Sequence, residues 1–135
     1  MIPLRWPFAA HALVETPAAL SFILTPEKQL PGCTPAAKLI LRQYGGLLLS
    51  SVLVCIFVLL EPGSFDVVAC RLLAAALGSY HVWPCYRAYV RLRSGAGGDG
   101  AAAQLTLGGP AVHLAVHSVC FAMFVFVVAL EIDGQ

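Results

Sequence analysis

Leu47-Leu48-Leu49-Ser50-Ser51-Val52-Leu53-Val54-Cys55-Ile56-Phe57-Val58-Leu59-Leu60 decides the fold class. The run carries no charge, and extended back to residue 39 it holds only Arg42. An α-helix needs about 20 such residues, at ~1.5 Å each, to cross a ~30 Å hydrocarbon layer. Glu61-Pro62-Gly63-Ser64 closes the run sharply and predicts a short hairpin into a second apolar stretch at 67–90. Two further stretches, 6–25 and 111–131, flank this pair. The expectation is an all-α, four-helix transmembrane bundle, forming one domain over residues 1–135 with a flexible linker at 94–110.

Composition agrees. Hydrophobic residues make up 59% of the chain and charged residues 11%, against ~25% charged in a soluble domain. A net charge of +1 and the lack of a basic tract exclude nucleic acid as an expected partner. The lipid bilayer is the expected one. Cys33, Cys55, Cys70, Cys85 and Cys120 include no C-x-x-C pair, so they read as small apolar packing residues. His11, Glu15 and Pro17 interrupt the first stretch, which argues against a cleaved signal peptide.

Prolines punctuate the segments. Pro7 suits a first helical turn, and Pro17 removes the hydrogen bond to the Leu13 carbonyl and predicts a kink. Pro26, Pro31 and Pro35 predict a stiff connecting loop over 26–37, and Pro84 a bend in the third span. Lys28, Lys38, Arg87, Arg91 and Arg93 border the first and third connections, whereas the other side carries only Arg5. The positive-inside rule therefore puts both termini on the non-cytosolic side.

Ionisable residues inside apolar spans cost several kcal/mol unless they face the bundle interior. Measured from the cytosolic ends at ~1.5 Å per residue, Arg42 lies about 6 Å deep, His117 about 9 Å, His81 about 9–13 Å and Glu15 about 15 Å. Four spans thus offer one ionisable group each to a common layer, with His11 and Arg71 assigned to the opposite half. His11 and Glu15 share a helical face at i,i+4, as do His113 and His117. Gln43 and Tyr44 adjoin Arg42 at the entrance of the second span, and His81 sits on a stripe of small residues, Ala74, Gly78 and Cys85.

Glu15, Arg42, His81, His117, Gln43, Tyr44 and His11 are therefore the candidate pocket and proton-transfer residues. Buried alone, Glu15 would favour its neutral form and could donate a proton; beside Arg42 it would form a buried ion pair. His113 and His117 have the spacing of two metal ligands, but four histidines are few for a di-iron centre. Helix-packing hydrogen bonds are the simpler reading, and no metal or cofactor is expected.

The stretch Arg42-Gln43-Tyr44-Gly45-Gly46-Leu47-Leu48-Leu49 resembles the Arg/Gly-rich helix entrance of DoxX-like membrane proteins. His11-Ala12-Leu13-Val14-Glu15-Thr16-Pro17 and Tyr80-His81-Val82 resemble parts of uncharacterised small fungal membrane proteins. The His11/Glu15 spacing is similar to one in EXPERA-domain sterol isomerases and sterol-binding proteins. Size and topology also resemble small cofactor-independent anthrone oxygenases. These resemblances imply a multi-pass protein of the endoplasmic reticulum or another endomembrane. Its expected role is to bind a lipid or sterol-like ligand, a partner membrane protein or a second copy of itself. The alternative is a membrane enzyme acting on an apolar substrate by proton transfer or oxygenation.

Overall fold

The computed structural model describes residues 4–94 and 109–130, and every regular element in that range is helical. The elements are α1 (Trp6–Leu24), α2 (Pro26–Gln29), α3 (Pro35–Leu60), α4 (Val67–Arg93) and α5 (Gly109–Ala129). The described residues thus form five helices where four were expected. The extra one, α2, is a single turn inside the connector read as a loop, begun by Pro26, whose missing N–H costs nothing at a first helical position. Most of the 94–110 linker, and Glu131 and Asp133, lie outside the described residues.

Local chemistry sets the helix limits. The Thr34 hydroxyl accepts from the Ala37 N–H and Pro35 follows it, so α3 starts several residues before the apolar stretch. Asp66 caps α4 in the same way, its carboxylate accepting from the Ala69 N–H at 2.7 Å. Helices α1 and α4 run on through Pro17 and Pro84, each of which leaves a carbonyl without its usual N–H partner.

Helices α1, α3 and α5 are long and apolar enough to cross a membrane. Helix α4, with Arg71, Pro84, Arg87, Arg91 and Arg93, does not reach that apolarity, although it is the longest at 27 residues. Many large apolar side chains face outward, among them Leu13 at 78% exposure and Trp83 at 71%. Such a surface suits acyl chains and would be a liability in water.

Helix α1 lies along α3, and α4 along α5, with α1 also meeting α5. Two glycines permit the close approaches. A Cβ on Gly45 would come within 2.8 Å of both Phe22 and Ile23 of α1, and one on Gly78 within 3.0 Å of Phe124 of α5. The long helices alternate in direction, as shown by two apolar layers. Phe8, Cys55, Val58, Cys70, Ala74, Leu77, Phe124 and Val127 form one, and Ala19, Phe22 and Leu48 form the other. Arg5 ties the start of α1 to the α3–α4 turn, donating to the Pro62 carbonyl at 2.7 Å. Between the two layers the interior is polar.

Candidate functional site

Each long helix contributes to this middle layer: His11 and Glu15 from α1, Ser51 from α3, Tyr80 and His81 from α4, and His117 from α5. His11, Glu15, His81 and His117 are at most 3% exposed, and Tyr80 is partly buried. On α1 the pair lies one turn apart, between Phe8 of the first apolar layer and Ala19 of the second. On α5, His117 lies two turns before Phe124, whose ring also stacks on His81.

The hydrogen bonds form a directed chain. The Ser51 hydroxyl donates to the Leu48 carbonyl at 2.7 Å, so its oxygen accepts from His11 Nε2–H at 2.9 Å. His11 Nδ1 is then an acceptor, and His81 Nε2–H donates to it at 3.0 Å. His81 Nδ1 in turn accepts from His117 Nδ1–H at 2.8 Å. One hydroxyl orientation thereby assigns the ring proton of three imidazoles, since a singly protonated imidazole has one donor and one acceptor nitrogen.

Glu15 belongs to a second chain. Tyr44 donates to the Tyr80 hydroxyl at 3.3 Å, and Tyr80 donates to Glu15 Oε2 at 3.1 Å. The other carboxylate oxygen, Oε1, has no hydrogen-bond partner although it is buried. It lies 3.5 Å from His117 Nδ1 and 4.0 Å from His81 Nδ1. A buried carboxylate oxygen without a donor is rare and costly, so its environment needs a physical reason.

A groove of about 410 Å³ between α1 and α5 reaches this layer from the surface. Leu13, Val14, Pro17, Val112 and Val116 form apolar walls, and Glu15, His113 and His117 supply polar groups. The volume lies within the ~300–1,000 Å³ typical of ligand pockets. His113 stacks edge-on against His117, with ring centres 4.3 Å apart, and takes a hydrogen bond from the Arg87 guanidinium at 3.3 Å. Polar anchors at the bottom of apolar walls suit a molecule with a greasy body and one polar end.

Of the seven candidates from sequence, the structure brings together Glu15, His81, His117 and His11, and links Tyr44 through Tyr80. His11 had been assigned to the opposite half of the layer. One helical turn, about 6 Å, is short enough for its ring to reach His81. Arg42 and Gln43 do not join. Both are exposed, and Arg42 donates to the Ile23 carbonyl, so no Glu15–Arg42 ion pair forms. The reason is depth: Arg42 meets α1 at Ile23, eight residues beyond Glu15 and about 12 Å further along the helix. Arg71 is likewise exposed. Tyr80 and Ser51 were missed; for Tyr80 the available signal was a hydroxyl adjacent to a histidine in an apolar span, and for Ser51 a hydroxyl within an uncharged apolar run.

No protein-family model, curated protein or solved structure matches this chain.

Proposed function

We propose that this is a multi-pass membrane protein that takes a lipid or sterol-like ligand into the α1–α5 groove. The ligand's polar end is held by Glu15, His113 and His117, and its apolar body rests against Leu13, Val14, Val112 and Val116. The single observation that carries this reading is a groove between α1 and α5 lined by Glu15, whose buried carboxylate oxygen Oε1 has no hydrogen-bond donor. A hydroxyl at the ligand's polar end would satisfy that oxygen and relieve a cost of about 1–3 kcal/mol.

In this reading α4 is a fourth span. Its 27 residues reach about 40 Å, so Arg71 and the Arg87–Arg93 group can sit near opposite interfaces while His81 stays inside. Both termini then face away from the cytosol, in the endoplasmic reticulum or another endomembrane, and the layout is that of DoxX-like proteins. Partner helices or a second copy would use the outward apolar faces. Native mass spectrometry of the purified protein tests the ligand. A bound lipid of constant mass, lost in Glu15→Gln, supports the proposal, and an empty wild-type protein contradicts it.

A second reading, a membrane enzyme on an apolar substrate, draws support from the imidazole chain. The His117–His81–His11–Ser51 sequence of hydrogen bonds leads from the groove into the interior, a route along which a proton can pass. Glu15→Gln would then remain folded and bind ligand while losing turnover.

A further inference from the structure

We propose that Glu15, His81 and His117 form a binding site for a divalent first-row transition metal ion, zinc or ferrous iron, with a coordination position open to the groove. Three atoms face one another: Glu15 Oε1, His81 Nδ1 and His117 Nδ1, separated by 2.8, 3.5 and 4.0 Å. The circle through three points so spaced has a radius of about 2.0 Å, the length of zinc–imidazole and zinc–carboxylate bonds. An ion at its centre would bond all three without large side-chain movement. The His81–His117 pair would open by a few tenths of an ångström as their shared proton leaves and His117 protonates Nε2 instead.

The surrounding hydrogen bonds point the same way. Two of the three ligands, Glu15 and His81, have their outer atom held by a partner, and their inner atoms face the proposed ion. Tyr80 holds Glu15 Oε2 and leaves Oε1 bare. His81 Nε2–H donates to His11, and His11 to Ser51, which fixes the His81 ring with Nδ1 toward the ion. Outer partners of this kind set ring orientation and raise ligand basicity in metal sites. His11, Glu15 and His81 also offer ligand atoms within 4.8 Å of one another, but both His11 nitrogens are already engaged, so it supports the site rather than binding.

Two imidazoles and one carboxylate suit zinc or ferrous iron more than magnesium or calcium, which prefer all-oxygen sites. Glu15 and His117 line the groove, so a ligand's polar end would complete the coordination. The metal set departs from the reading by spacing alone, which paired His113 with His117. His113 instead accepts from Arg87 and stacks on His117.

The test uses the full chain purified in detergent without chelator. Elemental analysis should find about one zinc or iron per chain, and the metal found decides between them. After chelator treatment, added Co²⁺ should give a visible d–d absorption that one equivalent of Zn²⁺ abolishes. Glu15→Gln and His117→Gln should each lose the absorption, His11→Ala should weaken Co²⁺ affinity by roughly 10–100-fold, and Gln43→Ala, at an exposed position outside the site, should retain it. Wild-type protein with no metal and no Co²⁺ absorption would overturn the site even if every variant misfolds. So would absorption that survives Glu15→Gln and His117→Gln. Because lipid retention is read separately by mass, a metal-free protein with bound lipid rejects this site alone.

Discussion

Glu15 Oε1 concentrates the chemistry of the molecule, because it is a buried acceptor without a donor beside two ring nitrogens. Its partner oxygen depends on Tyr80, so Tyr80→Phe should cost about 1–2 kcal/mol, read as a lowered midpoint in detergent thermal unfolding. Arg42→Gln should leave both that midpoint and lipid retention unchanged, since Arg42 is exposed and bonds only a carbonyl at the end of α1. Loss of lipid in that variant would restore Arg42 to the site. At this scale the sequence was informative about which titratable groups are buried in the apolar layer, because exposing them to lipid costs too much. It was uninformative about Arg42, whose length lets it reach the carbonyl end of α1 from a position two turns inside α3.

Among the elements, the glycines decide how closely the helices pack. Gly45→Val should destabilise by about 1–3 kcal/mol, because the added side chain meets Phe22, Ile23 and the Ala19 carbonyl of α1. Gly46→Ala, one residue on and facing open space, should be neutral or slightly stabilising. Equal effects in the two variants, read from thermal unfolding, would mean that the α1–α3 seam is not the close contact described. Element positions were readable from apolar runs and from the Glu61–Ser64 turn. The single-turn α2 was not: one turn carries no periodicity, and a proline at its start serves a loop equally well. The choice of Gly45 over Gly46 as the packed glycine needed the phase of α3, and that is set by partners on α1 far away in the chain.

For the whole molecule, three helices have the length and apolarity to cross a bilayer, and a polar layer lies between two apolar ones inside the helix assembly. With α4 as the fourth span, a C-terminal epitope should be protected until the organelle membrane is permeabilised; detection in intact organelles would reverse the orientation. The depths of Glu15, His81 and His117 were legible from residue counting, since helix rise is constant, whereas counting put His11 in the opposite half and Arg42 in the shared layer. The groove was not, because it arises from the seam between α1 and α5, whose ends are distant in sequence. Val112→Trp, at the exposed rim of that groove, should fill it without disturbing the buried layer. Native mass spectrometry of the wild-type and Val112→Trp proteins, purified side by side, tests the account most directly. A lipid-sized adduct on the wild type that disappears in the variant is the predicted result; no adduct on either, or the same adduct on both, would contradict it.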